Sequence, residues 1–328
     1  NINNDIPNPA KLKDIEKATS RVIKAIDKKE RIGIIADYDV DGSTSASILF
    51  KFLKNFTSSI ILKIPNRLVD GYGPNIKLMK EMLKNKVDLI LTLDCGTTSN
   101  EIIDNKEFKN IDVIVIDHHL SEINLPNVLA IINPNRVDDT SDYKELAAVG
   151  VTFLFLMYLR KKLREINKFN EIKEPNLLSY LDLVALGTVC DVVELRNYNR
   201  LFVKKGLELI HKRYHRGIAK LIDNSKISSS PTSQDLGFIV GPQINAASRI
   251  DDSSLASKLL ISNDIEQIDS ISRKLFLLNE KRKLIESQIL DDANNQAANQ
   301  SNSNFILVFG NNWHQGVLGI IASKIKDI

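Results

Sequence analysis

Residues 31–42 read RIGIIADYDVDG: an apolar run that stops at three aspartates, Asp37, Asp39 and Asp41, spaced two apart and closed by Gly42. An apolar run without polar alternation is the signature of a strand buried on both faces, so Arg31–Ala36 is expected to lie inside a parallel sheet. The aspartates then stand at its carboxyl end, where open α/β sheets collect their ligands. The spacing also imitates a calcium loop. That loop needs a bidentate glutamate at its twelfth position and a helix before it. Here the twelfth position is Ile48 and a strand precedes, so the calcium-loop reading fails.

Outward from this stretch, short β-rich runs alternate with helical ones. A helix is expected over Ser43–Lys54 and another across Asn75–Lys84. Strands are expected at Ser59–Ile64, Val87–Leu93, Ile111–Ile116 and Val128–Ile132. Strands separated by helices imply βαβ units, a parallel sheet and a doubly wound α/β domain. After Glu145 the pattern turns helical, over Glu145–Ile166, Asn176–Thr188 and Arg200–Arg213. A long helix is expected over Ile265–Asn294, with Ile268, Ile271, Leu275, Leu278, Ile285 and Ile289 on one face. The polar run NNQAANQSNSN then reads as a linker. A strand at Phe305–Phe309 and a helix after Trp313 open a second α/β domain. The expected division is a catalytic domain over 1–263, a connector helix and linker over 264–303, and the start of a second domain over 304–328. The chain opens on Asn1 and closes within an apolar helical pattern at Ile325 and Ile328, so a fragment of a longer protein is expected.

Composition narrows the class. The 328 residues are 43% hydrophobic and 26% charged, as in ordinary globular proteins, and are long enough for two domains. A net charge of +3 only weakly favours a polyanionic partner. Two cysteines, Cys95 and Cys190, allow neither a disulfide framework nor a Cys-rich zinc site. Reduced thiols and a cytoplasmic location are expected. No apolar run reaches the roughly 18 residues of a membrane span, so no membrane contact is expected.

The second and third strands to end in acid are Val87–Leu93, followed by Asp94-Cys95-Gly96, and Ile111–Ile116, followed by Asp117-His118-His119. Three strand ends thus bring five aspartates and two histidines to one edge. Each piece alone has a plainer reading: Asp94 as a helix cap, His118-His119 as a surface turn. Together they form a cluster whose mutual repulsion a divalent cation would remove, and two cations suit this many ligands. Carboxylate and imidazole donors fit Mn²⁺ or Mg²⁺, with Zn²⁺ as a further choice.

The order ADYDVDGSTSASIL, LDCGTTS, VIDHH resembles the DHH phosphoesterases. LDLVALGTVCDVVEL (Leu181–Leu195) is similar to their fourth motif and makes Asp191 a metal ligand; by itself Asp191 is only a polar residue after a helix. Within that family the chain looks most like the RecJ single-strand-specific exonucleases. PNPAKLKDIEKATSRVIKAI resembles the segment before their first motif, GPQINAASRIDD (Gly241–Asp252) their phosphate-handling motif, LLNEKRKLIESQI their connector helix, and WHQGVLGIIASKI (Trp313–Ile325) the start of their second domain. Departures are Ile35 in place of a frequent histidine, Ser248 before Arg249, and Ala148. The family's later glycine-rich motifs and its additional OB-fold domain would lie beyond Ile328.

The resemblance implies a metal-dependent exonuclease that hydrolyses phosphodiester bonds of single-stranded DNA, 5′ to 3′, in recombination and repair. Asp39, Asp41, Asp94, His118 and Asp191 would hold two divalent cations, with Asp94 shared. His119 would contact the scissile phosphate, Asp37 would tune the ligands or accept a proton, and Asn245 and Arg249 would grip phosphate oxygens. Partners implied are single-stranded DNA and other repair proteins, such as a single-strand-binding protein or a helicase. Two rival readings remain: a DHH-type oligoribonuclease or nucleotide phosphatase acting on short substrates, and a non-catalytic scaffold. The other polar motifs have structural readings. His211 and His215 are expected on a solvated basic helix face, His314 as a helix cap, Gly71-Tyr72-Gly73 as a turn, and both cysteines as packing residues near the site. A thiol-reactive metal would inhibit if those thiols were accessible.

Overall fold

A computed structural model describes residues 7–227, 229–300 and 305–326. Its centre is one parallel sheet of five strands: β1 (Ile32–Ala36), β2 (Ile60–Lys63), β3 (Leu89–Leu93), β4 (Asp112–Ile116) and β5 (Ala130–Ile132), ordered β2-β1-β3-β4-β5. The order reverses between β1 and β3, which opens a crevice at their carboxyl ends.

Helices cover both faces. On one lie α1 (Ile15–Asp27), α2 (Val40–Leu53) and, later in the chain, the helix Ala148–Glu165; on the other lie α3 (Ile76–Lys84) and the short α4 (Asn100–Ile103). The strands supply both cores in alternation. Ile34, Leu91 and Ile114 face the first helix layer, while Ile35, Ile90 and Val115 face the second. Ile35 is therefore a core residue. In α1, Ile15, Ala18, Val22, Ala25 and Ile26 recur at helical spacing and are all buried. The sheet is thus doubly wound, as its sequence pattern implies.

The remaining helices are α5 (Ala148–Glu165), α6 (Leu181–Cys190), α7 (Asn197–His211), α8 (Arg216–Asn224), α9 (Ser233–Asp235), α10 (Gly241–Ile250), α11 (Leu255–Ile261), α12 (Ile265–Ala298) and α13 (Leu318–Lys326). A π-helical stretch, Leu236–Val240, joins α9 to α10. Such wide turns are frequent at functional segments, because they re-aim the side chains that follow. No helix among the described residues is long and apolar enough to cross a membrane.

Three local expectations are corrected. The long helix does not yield to a linker at Asn294 but runs to Ala298, held by Ala293 buried against Val317 and Ile321; residues 301–304 of the expected linker lie outside the described part. Phe305–Phe309 forms no strand, because its backbone pairs with side chains instead. Gln296 donates to the Phe309 carbonyl (2.8 Å) and accepts from its N–H (3.0 Å); Gln300 does the same with Leu307 at the same distances. His211 and His215 do not share a helix, since the first ends α7 and the second caps α8. His215 is no solvated residue either. Its Nδ1 accepts from Ile218 N–H, its Nε2 lies 2.8 Å from the Leu260 carbonyl, and burial pushes its pKa down to about 4.

Candidate metal centre

The register of the sheet builds the site. Ala36 pairs with Leu93, Leu93 with Ile116, and Ile116 with Ile132. The next residue on each strand is Asp37, Asp94, Asp117 and Asn133, so four polar side chains stand in one row across the carboxyl edge. The ladder extends through them: Asp37 N–H donates to Leu93 O, Asp94 N–H to Ile116 O and Asp117 N–H to Ile132 O. Asp94 takes a left-handed backbone, φ +58°. A non-glycine residue holds this conformation only when its surroundings enforce it, and such strain gathers at functional sites.

The turn after β1 adds Asp39 and Asp41. Asp39 caps α2 by accepting from Gly42 N–H. Gly42 is required there, since a Cβ would lie 2.4 Å from the Asp37 carbonyl oxygen. Asp41, in the first turn of α2, reaches across to the start of α5. Its two carboxylate oxygens accept from Ala148 N–H (2.6 Å) and Val149 N–H (2.8 Å). It thereby caps a helix that has no side-chain cap of its own. Asp191, the residue that ends α6, completes the group.

His118 sits at the focus. Its Nε2 is 3.5 Å from Asp94 Oδ1, 3.5 Å from Asp191 Oδ2 and 3.9 Å from Asp41 Oδ2. A backbone hydrogen bond to Leu146 fixes the ring, and burial lowers its pKa, so it presents a neutral lone pair. Three overlapping groups emerge: Asp37 with Asp39 and Asp94; Asp41 with His118 and Asp191; Asp94 with His118 and His119. Asp94 and His118 each belong to two of them.

The electrostatics points to cations. Asp37 Oδ1, Asp94 Oδ1, His118 Nε2 and Asp191 Oδ2 are buried and have no hydrogen-bond partner among the described residues. Burial, then the neighbouring carboxylates, push Asp41 and Asp94 far above the usual carboxylate range, Asp37 up to about 8 and Asp191 up to about 7. Buried acceptors facing one another are stable when cations lie between them. The donor set of carboxylates and one neutral imidazole fits Mn²⁺ or Mg²⁺.

His119 is different. Its Nδ1 lies 2.8 Å from Asp117 Oδ1, and that hydrogen bond raises its pKa despite partial burial. Asp117 also accepts from Thr97 N–H and is held well below the usual carboxylate range, with the His119 hydrogen bond and charge overcoming its burial. The sequence placed Asp117 at the edge without a role; its role is to orient and charge His119. Asn133 holds the turn by donating to Thr97 and to the His119 carbonyl.

Two residues that the sequence did not single out crowd the rim. Tyr72, expected only as part of a turn, donates to the Asp94 carbonyl (2.8 Å) and lies 3.3 Å from His119 Nδ1. Arg67 stands 5.1 Å over the Tyr38 ring and has no ion-pair partner among the described residues. Neither belongs to a periodic pattern; they occupy the irregular loop between β2 and α3, and only its two glycines of positive φ, Gly71 and Gly73, hinted at them. Asn245 and Arg249 lie four apart on one face of α10. Arg249 reaches the Gly316 carbonyl (3.1 Å), and burial plus the repulsion of Arg67 and Arg282 lower its pKa to about 10. The Asn245 Oδ1 is buried without a partner. Cys95 is fully buried, and Cys190 packs on Gly241 with its thiol toward the Leu236 carbonyl, so both serve as packing residues.

Helix α6 approaches α2 closely enough that only glycine fits at 187. A Cβ there would lie 2.3 Å from Thr44 Oγ1, 2.8 Å from Val149 Cγ1 and 3.1 Å from Asp41 Oδ1. Gly187→Ala is expected to cost about 2–3 kcal/mol of stability through overpacking, and to weaken Mn²⁺ binding because Asp41 and Asp191 are pushed apart. Chemical denaturation and metal titration of the variant test this; unchanged values in both would mean that α2 and α6 separate freely.

Known proteins carry the same plan. Residues 31–188 match the model of the DHH family, N-terminal domain. The single-stranded-DNA-specific exonuclease RecJ of Haemophilus influenzae is 37% identical over 98% of this chain and 57% of its own length. That of Escherichia coli is also 37% identical, over 96% of this chain and 56% of its own length. The chain thus spans somewhat more than half of these relatives. Among solved structures, an exonuclease RecJ bound to manganese matches with a TM-score of 0.84 and 31% identity over 98% of this chain and 78% of that one. RecJ from Thermus thermophilus in complex with Mn²⁺ gives 0.82 and 30%, over 96% of this chain and 45% of that one.

Proposed function

The chain belongs to the DHH family, among the relatives of exonuclease RecJ, and from that premise we propose that it is the catalytic core of a metal-dependent exonuclease acting on single-stranded DNA. The observation that carries this reading is the convergence of four buried polar atoms unpartnered among the described residues, on Asp37, Asp94, His118 and Asp191, beside the cation of Arg67, which has no ion-pair partner there. Phosphodiester hydrolysis needs both features: ligands for cations that activate water, and positive charge for phosphate.

In this reading Asp39, Asp41, Asp94, His118 and Asp191 would hold two divalent cations, Mn²⁺ or Mg²⁺, with Asp94 as the proposed shared ligand. When bound, such ions supply a nucleophilic water and neutralise charge on the phosphate. His119, kept protonated by Asp117, donates from its free Nε2 to a non-bridging phosphate oxygen. Asp37, whose Oδ1 is buried and unpartnered among the described residues, would tune the ligands or, once ionised beside bound cations, accept a proton. Arg249 and Asn245 bind neighbouring phosphate oxygens from α10, joined by Arg67. Charge-assisted grip on the backbone makes binding depend on salt. The Tyr38 and Tyr72 rings, edge to face at 6.4 Å, flank the metal cluster as stacking surfaces for an unpaired base.

The family reading extends further by likeness to the RecJ relatives: digestion from 5′ to 3′, a part in recombination and repair, a cytoplasmic setting, and contact with a single-strand-binding protein or helicase. It also supports the division into a catalytic domain over 1–263, a connector over 264–303 and the start of a second domain from 304.

The test uses 5′- and 3′-labelled single strands, a duplex control, and Mn²⁺ or EDTA. Mn²⁺-dependent release of mononucleotides from the single strand alone is expected, with the order of label loss giving the polarity. Cleavage confined to oligomers of a few nucleotides would instead indicate a trimming enzyme. No cleavage despite tight metal binding would indicate a scaffold.

A further inference from the structure

We propose that the cavity at the far end of α2 binds a small phosphate-bearing anion. Asp41 opens α2 in the metal cluster; Lys51 lies ten residues later, about 15 Å along the helix axis, and lines a cavity of about 400 Å³. Tyr180, Tyr214, His215, Arg216 and Asn263 line the same space, and no carboxylate does.

The charges there are only partly compensated. The Lys51 ammonium is largely buried, its pKa is lowered by that burial, and it has neither an ion pair nor a hydrogen-bond acceptor among the described residues. Its acidic neighbour, Asp182, is wholly buried and is not among the residues lining the cavity, with one oxygen on Leu183 N–H; burial pushes its pKa up to about 7, which weakens it as a counter-ion. Arg216 is exposed and also unpaired among the described residues. His215 adds no charge, since both ring nitrogens are engaged and its pKa is low. Burial raises the Tyr180 hydroxyl to about 12, so it remains a donor.

A partly buried ammonium without a hydrogen-bonded partner is costly, and with an exposed guanidinium beside it the site calls for an anion. The donors here are an ammonium, a guanidinium, two phenols and a carboxamide. A halide offers these groups no directional acceptor and a planar carboxylate only two oxygens in one plane, whereas the three or four tetrahedrally disposed terminal oxygens of a phosphate can accept from all five. The volume exceeds that of phosphate alone and leaves room for an esterified group, with the exposed Tyr214 ring beside it as a stacking surface. A phosphate monoester of nucleotide size is therefore the class of ligand that fits. This inference does not rest on the nuclease reading.

The experiment follows Lys51 itself. The whole chain, in EDTA, is treated briefly with an amine-acylating reagent, and acylation of each lysine is measured by mass spectrometry. Exposed Lys54, which ends the same helix, is the internal reference. Inorganic phosphate, a deoxynucleoside 5′-monophosphate and a short single-stranded oligonucleotide are compared with chloride at equal ionic strength. Lys51 acylation is expected to fall about fivefold when phosphate or the monophosphate is several-fold above its Kd, with Lys54 unaffected and the protection weakened by Arg216→Gln. Stronger protection by the monophosphate identifies a free ester as the source; stronger protection by the oligonucleotide identifies a strand phosphate. Acylation of Lys51 that is unchanged, or that falls as much in chloride, overturns the proposal whatever the nuclease assays show.

Discussion

Asp94→Asn is expected to lower Mn²⁺-dependent cleavage of single-stranded DNA by about 10³-fold or more, as loss of a shared metal ligand removes several kcal/mol of transition-state stabilisation. Asparagine is the informative replacement. It keeps the size of the side chain and tolerates the left-handed backbone at φ +58°, so the strand end retains its shape. What changes is one charge among carboxylates that already repel one another. The metal-free variant should therefore be more stable than the metal-free parent while being nearly inactive. Rates in Mn²⁺ and melting in EDTA, measured side by side, separate the two effects. Retention of more than a tenth of the parent rate would sink the assignment of Asp94 to both ions.

The second large effect is on the parent protein stripped of metal. Asp37 and Asp191 have folded-state values of about 8 and 7, against roughly 3.9 in an unfolded chain. The folded state therefore binds more protons than the unfolded state between these limits. Stability contributed this way is complete at acid pH and drains away as pH rises through the folded values. In EDTA the melting temperature should fall by about 3–6 °C between pH 5 and pH 9, for an expected loss of order 2–4 kcal/mol. Saturating Mn²⁺ should abolish that slope and raise the melting temperature most at the alkaline end, where the carboxylates are free to bind it. A flat profile in EDTA would show that these carboxyls do not oppose one another, and the metal reading of the cluster would go with it.

The sheet was readable because parallel strands bury both faces. IGIIA, LILTL and DVIVI declare themselves without alternation, and the same principle places their last residues at one edge. That is why Asp37, Asp94 and the DHH triplet could be assembled from sequence. Asp191 was different: it follows a helix with nothing local to mark it, and only likeness to a family pointed there. Tyr72 and Arg67 escaped because an irregular loop has no period to read. The His211–His215 pair was misread because a turn between two helices can imitate an i,i+4 spacing. Phe305–Phe309 has the composition of a strand, yet what pairs with an extended segment is a tertiary matter that local sequence does not carry.

The two glutamines that hold that segment share a common measure with it. Gln296 lies in the last turn of α12 and Gln300 in the turn just past its end at Ala298, while Leu307 and Phe309, two residues apart in extended chain, are separated by about 6.6 Å. The end of a helix and an extended segment are thus matched over one interval. The helix thus works as a jig. It sets which residues of the extended run face it, and a slip by one residue would bring Ile306 and Val308 to the glutamines and turn Leu307 and Phe309 to the opposite side. Which side chains of this segment face the end of α12 is thereby decided by two amide groups rather than by a neighbouring strand.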